Sequence, residues 1–266
     1  MARLTALFTL AVLAGLSSPQ AQELPAGLSA PRWERVASVV DGDTVLLEGA
    51  GEVRFVGVQA PKLPLGRANF SAWPLAPEAK SAVEALLLGR EAGLTFAEGG
   101  RREDRYGRAL AHLVTREGVW VQGRLLELGL ARVYSFPDNR ALVAEMLELE
   151  RAARRAGRGI WGHPFYRIRE ARAGALWPLL DSFQVIEGEV REVFSSSRNT
   201  YLNFGEDWKE DFSLQIPREV RDEFKQAGVE LESLSGRRVR VRGWISAYNG
   251  PLIRVTHPEQ LELLEP

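Results

Sequence analysis

The sequence predicts a mainly β chain with helices (α+β), arranged as two β-rich units in series. Three observations carry that expectation. Short runs of alternating apolar and polar residues recur from residue 36 onward, punctuated by glycine, asparagine and proline turns. Before residue 160, helical spacing of apolar positions is found at 78–88, 121–128 and 141–156. A second series of strands begins near Phe183, after an arginine-rich connector. With 266 residues, 45% of them hydrophobic, the chain can fill more than one core.

In chain order, 36–40, 44–48 and 53–58 read as strands, with turns at Asp41-Gly42 and Gly49-Ala50-Gly51. Residues 62–77 hold Pro64, Gly66, Pro74 and Pro77 without periodicity and read as a loop. The helix at 78–88 places Ala79, Val83, Leu86 and Leu87 on one side. Strands at 92–96 and 109–115 flank a charged loop, 99–107, and are followed by the helices 121–128 and 141–156. Arg151, Arg154 and Arg155 fall in the last turns of the second of these, where the helix dipole favours cations. After the connector, 183–193, 200–204 and 212–216 are expected as strands, 217–227 as a short helix, and 237–246 and 252–256 as strands. Within 237–246, Val239, Val241 and Trp244 are set against Arg238, Arg240 and Arg242. Three strands, a helix and two strands is the order of a five-stranded OB barrel.

Charge excludes little. The net charge is −1; residues 31–170 carry 21 Lys+Arg against 18 Asp+Glu, and residues 171–266 carry 12 against 16. Any affinity for nucleic acid therefore rests on local patches. Arginine outnumbers lysine 30 to 4, which suits forked phosphate contacts and equally reflects base composition of the gene. Met1-Ala2-Arg3, the apolar run 4–16 and the small or polar residues 17–22 read as an export signal, 1–21. The expected location is periplasmic or secreted, with no membrane span after cleavage; an uncleaved anchor is the alternative. There is no cysteine, so disulfides and thiolate metal sites are excluded.

The motifs that carry chemistry are Asp41-Gly42-Asp43-Thr44, then Arg54 before a short apolar strand, then Arg105-Tyr106-Gly107-Arg108. Carboxylates hold hard cations and guanidinium forks clamp phosphates, so this inventory suits a phosphodiester. With Pro77-Glu78-Ala79, Gly129-Leu130-Ala131 and Gly159-Ile160-Trp161, these motifs resemble the staphylococcal nuclease (thermonuclease) family, in order and without large gaps over residues 33–165. The resemblance implies an OB-type barrel with helices, calcium dependence and cleavage of DNA and RNA. It puts Asp43 on a calcium carboxylate with Asp41 behind it, Arg54 and Arg108 on the phosphate-binding arginines, and Tyr106 beside the nucleotide. Tyr134 and Phe136 fall on aromatics that contact sugar and base. Arg67 and Arg102 border the same site on the loop pattern.

One stretch departs from the family. Where it has a calcium aspartate, a carbonyl donor, a proline and a proposed general-base glutamate, this chain has Gln59, Ala60, Pro61 and Lys62. Gln keeps a carbonyl oxygen but loses a charge, and an ammonium repels a divalent cation. The expected metal set is thus Asp43, Gln59, the Ala60 carbonyl and Asp41, with no cofactor or weak calcium. Lys62 stands at the base position without serving as a base. The expected organisation is a thermonuclease-like domain over 32–166, a linker over 167–182 and an OB-fold domain over 183–264. The expected function is an exported protein that binds nucleic acid or nucleotide phosphates with weak or no hydrolysis. The alternatives are an active phosphodiesterase with altered metal or base, and an envelope module that binds a protein partner through the second domain.

Overall fold

The computed structural model describes residues 27–265, so the expected export signal lies outside the described residues. The first sheet is a closed barrel. Its strands are β1 (Arg32–Asp41), β2 (Thr44–Leu47), β3 (Gly51–Phe55), β5 (Glu91–Thr95) and β6 (Ala109–Thr115), in the order β1-β2-β3-β6-β5. Closure leaves no unpaired edge within that ring. The β3–β6 pair is parallel and the others are antiparallel. A two-residue strand, β4 (Val58–Gln59), pairs outside the barrel with β7 (Arg132–Val133).

The expected single strand at 53–58 is interrupted between β3 and β4. Gly57 has φ 76°, and a Cβ there would lie 2.6 Å from Met146 Sδ. Only glycine fits such a left-handed bend against a packed side chain. Three helices cover the barrel: α1 (Ala76–Leu87), α2 (Val121–Glu127) and α3 (Val143–Arg155). Helix α1 starts two residues before the expected position because Pro77 sits in its first turn, where its missing N–H costs nothing. Its buried face is Ala76, Ala79, Val83 and Leu87, of which Val83 and Leu87 join Val45, Phe55, Leu94, Leu113 and Leu125 in one apolar core. Each such large side chain contributes about 1.5–3 kcal/mol by leaving water.

The rest of the described chain builds an eight-stranded sheet. Its members are β8 (Arg169–Glu170), β9 (Phe183–Glu189), β10 (Glu192–Ser195), β11 (Asn199–Asn203), β12 (Ser213–Pro217), β13 (Arg238–Ala247), β14 (Pro251–Arg254) and β15 (Leu261–Leu263). The order is β10-β11-β12-β14-β13-β9-β8, with β15 on β13. Helices α4 (Ala173–Leu176) and α5 (Arg221–Gln226) belong to this unit. The strand expected over 183–193 is broken at Val190, which is fully buried and donates its N–H to Arg237 O. β10 continues β9 through Val190 and Arg191, so this one bent strand pairs with β13 through its first half and with β11 through its second. The 167–182 segment is more than a linker: β8 pairs in parallel with β9.

The two units meet across a buried ionic seam. Arg242, 1% exposed, donates to Glu150 Oε2 at 3.0 Å and to Glu262 Oε1 at 2.5 Å. Glu150 lies on α3 and also accepts the N–H of Val133 at 2.6 Å. Arg140 bridges Glu223 and Glu259, and Ser135 Oγ meets His257 Nε2 at 2.7 Å. Arg242 and Arg240, set against Val239 and Val241 along their strand, are consumed by this seam, Arg240 through Glu187 and Glu262. Glu262 is held at about 2; burial opposes this, but Arg242, Arg154 and Arg240 outweigh it.

Arg242→Ala takes one guanidinium from two buried carboxylates, leaving Glu150 with Arg154 and Glu262 with Arg151, Arg154 and Arg240, and should cost about 1.5–3 kcal/mol in urea unfolding. Acid acts through histidine as well. Burial lowers His112 and His257 to about 4, and neither ring nitrogen of His112 has a partner. The unfolded chain binds those protons more readily, so this stability is complete above the unfolded value near 6.5. It is lost as pH falls from there toward 4, by on the order of 3 kcal/mol per histidine. His112→Phe should remove roughly half of that slope in unfolding titrations.

Candidate functional site

A cleft of about 680 Å³ opens beside β3 and the 101–108 loop. Its floor is the turn between β1 and β2. There the N–H of Asp43 donates to Asp41 Oδ1 at 3.0 Å, the local bond that favours aspartate in turns. Gly42 lets this turn sit against α1, since a Cβ would lie 2.7 Å from the Cβ atoms of Ala60 and Ala79. The packing buries Asp43 completely.

A buried carboxylate requires compensation, and Asp43 is compensated from three sides. Lys62 Nζ lies 2.7 Å from its Oδ1 and 2.6 Å from its Oδ2. Arg54 Nη1 is 3.1 Å from Oδ1, and the Ala60 N–H donates to Oδ2 at 2.7 Å. Burial pushes Asp43 up, but Arg54 and Lys62 prevail and hold it at about 2. Asp41 lies 3.4 Å from Lys62 and is raised above the ordinary range, by burial first and then by the charge of Asp43.

The expected metal set does not converge. Gln59 turns its carbonyl oxygen to Arg132, accepting at 3.0 and 2.7 Å. Arg132 is itself buried and lies 4.8 Å over the ring of Phe183. Ala60 meets Asp43 through its N–H. Among the described residues, no group of three or more His, Asp or Glu could hold a metal.

The arginines divide. Arg54 lines the cleft but points inward, donating to the carbonyls of Asp43, Phe55 and Val58. Arg108 lines it with a part-exposed guanidinium, forked onto Asp104 at 2.8 and 2.7 Å. Arg67 lines the cleft yet is bonded to the carbonyls of Leu63 and Pro64 and lies over Phe70. Arg102 falls outside the cleft lining: its guanidinium lies over the Phe96 ring at 5.1 Å. In total the lining holds Arg54, Lys62, Arg67, Arg101, Arg105 and Arg108 against Asp41, Asp104 and Asp138, a surplus of three positive charges.

Aromatic rings form the other wall. Tyr106 is 68% exposed and Phe136 48%. Tyr134 packs edge-on against Phe136 at 4.9 Å and against Phe183 at 4.7 Å. The fourth ring, Trp244, comes from β13 of the second unit and donates Nε1–H to Tyr134 Oη at 2.8 Å. It was expected on the apolar side of its strand with Val239 and Val241. Residue parity opposes that: 244 shares a face with 242, not with 241, and Trp244 is 51% exposed. That parity was the one available signal for it.

Lys62→Glu places a third carboxylate against Asp41 and Asp43. It should lower the melting temperature by several degrees, about 1–3 kcal/mol, and millimolar calcium should restore stability to the variant while leaving the parent unchanged in a thermal-shift assay.

Comparison with known proteins agrees with the barrel. Residues 52–163 match the model of the family described as staphylococcal nuclease homologue. An endonuclease of Bacillus subtilis, YhcR, is 29% identical over 207 residues, covering 71% of this chain and 16% of its own length. An uncharacterized protein of Methanocaldococcus jannaschii is 30% identical over 149 residues, 48% of this chain and 71% of its own. A probable endonuclease of Coccidioides posadasii is 31% identical over 139 residues, 48% of this chain and 42% of its own. With that domain match and those relatives, residues 52–163 of the chain belong to the staphylococcal nuclease family.

Proposed function

We propose that this protein binds a nucleic-acid or nucleotide phosphodiester in the first unit's cleft without a calcium ion, with weak or no hydrolysis. The observation that carries the reading is the ammonium of Lys62 within 2.7 Å of both oxygens of Asp43. Calcium asks for six to eight oxygens at about 2.3–2.6 Å. Here Lys62, Arg54 and the Ala60 N–H use the Asp43 oxygens, and Arg132 uses the Gln59 oxygen. The residues do not fit calcium, and no step is assigned to it.

What remains is a phosphate-binding surface. Arg105 and Arg108, the latter held to Asp104 along its Nε–Nη2 edge, stand at the cleft mouth, Lys62 and Arg54 together balance the two aspartates beneath, and the cationic surplus of the lining attracts a polyanion. Tyr106, Phe136 and Trp244 offer faces for bases or sugars. The second unit supports binding by adding Trp244 to the wall; its strand order matches an OB module, and we place the first domain at 32–166 and extend the second from 183–264 back to include β8 and α4. The N-terminal apolar run supports export, and no helix among the described residues is long and apolar enough to cross a membrane. The endonuclease names of two relatives favour a second reading, hydrolysis with a different base, for which Asp41 with its raised carboxyl is the nearest group.

The test is binding and digestion on one preparation. A fluorescent single-stranded oligonucleotide should bind at low salt, weaken with rising salt, ignore chelator, and lose about tenfold in affinity on Arg108→Ala. Plasmid and oligonucleotide should survive with calcium, manganese or chelator. Chelator-sensitive digestion at a rate typical of nucleases would replace this reading with the second one.

A further inference from the structure

A second concavity lies on the other unit and differs in chemistry. It measures about 470 Å³, within the roughly 300–1,000 Å³ of small-ligand sites. Phe194 on β10 and Tyr201 on β11 are directly opposed across the ladder and line it together. Trp208 reaches it from the β11–β12 loop, and Tyr248 from the β13–β14 turn. Phe194, Trp208 and Tyr248 are 56%, 54% and 64% exposed. Three large rings open to solvent around one hollow in so small a unit call for a ligand.

The groove is built in advance. The Trp208 loop is tied by Asp207 N–H to Asp211 Oδ2 at 2.8 Å and by Lys209 N–H to Asp207 Oδ1 at 3.0 Å. The Tyr248 turn is wedged onto that loop, since a Cβ at Gly250 would lie 2.3 Å from Asp211 O. Between the rings, polar groups are already oriented. Asn203 accepts from Ser213 Oγ at 2.9 Å through its carbonyl oxygen, which leaves its NH2 to donate. Tyr201 Oη accepts from Asn199 and Gln215 at 3.3 and 3.2 Å, which leaves its O–H to donate. Asn249 adds an amide and Glu192 a carboxylate.

Charge decides the class of ligand. The lining contains Glu192 and no lysine or arginine, and Lys209 stands 5.7 Å from the centre of the Trp208 ring. A phosphodiester would meet a carboxylate with no guanidinium to receive it. A neutral sugar ring instead offers a C–H face to an aromatic ring and hydroxyls at its rim to amides, a phenol and a carboxylate. We propose that this groove binds a neutral oligosaccharide, stacked between Trp208 and Tyr248 and hydrogen-bonded to Asn203, Asn249 and Glu192. The site is independent of the cationic cleft and of what that cleft binds.

Calorimetry on the full chain tests it, with β-1,4-linked hexamers of glucose and of N-acetylglucosamine, an α-1,4-linked glucose hexamer, and an oligothymidylate as probes. At least one neutral hexamer should bind with a dissociation constant below about 1 mM. Binding should ignore salt, survive Arg108→Ala, and weaken about tenfold or more on Trp208→Ala or Tyr248→Ala. Trp208→Phe should keep most of it. Both rings are exposed, so melting temperatures of these variants should match the parent. No heat from any hexamer at about 10 mM overturns the proposal. So does sugar binding indifferent to both aromatic variants, or oligothymidylate binding that they alone abolish.

Discussion

The buried carboxylate of Asp43 is the constraint around which the first unit is arranged. Gly42 allows the turn to press against Ala60 and Ala79, and that contact removes Asp43 from water. An isolated ionised carboxylate there would be too costly, so the chain brings cations and an N–H to it. Arg54 comes from β3 and Lys62 from the segment after β4. The loop that carries Lys62 is thereby fixed, and with it the near wall of the cleft. The ammonium does electrostatically what a divalent ion would do, at lower charge and with its own tether.

The second constraint is the seam. Arg242 reaches Glu150 on α3, and Glu150 in turn holds the Val133 N–H beside Tyr134. Breaking a buried pair of this kind is expensive even where forming it gained little, so the units are held in one relation. That relation sets Trp244 against Tyr134 and Phe183 against Arg132. Arg132 holds Gln59. The composition of the cleft wall therefore depends on residues more than a hundred positions away in sequence.

Electrostatics separates the two concavities of the molecule. One is lined with a surplus of positive charge and the other with aromatic rings, amides and one carboxylate. The arginines of β13 do not blur this division. Arg240 and Arg242 are neutralised in the seam, which leaves Arg238 as the exposed arginine of that strand.

The sequence by itself determined the barrel, its turn and the site's inventory. Glycine, aspartate and proline punctuation, period-two strands and the spaced motifs are local signals, and local sterics and hydrogen bonding act on them directly. The resemblance to staphylococcal nuclease grouped Asp43, Arg54, Lys62 and Arg108 into one expected site, with Gln59 and Lys62 standing where that family has carboxylates. Tertiary structure decided what those groups do with their charges. Whether Lys62 stands off from Asp43 or grips it, and whether Gln59 faces the cleft or Arg132, depends on which long-range partner is nearest once the chain is packed. The break in the 183–193 strand, the burial of Arg242 and the arrival of Trp244 in the cleft arose the same way. Each is set by neighbours distant in sequence, and no local pattern encodes the desolvation that makes their pairing obligatory.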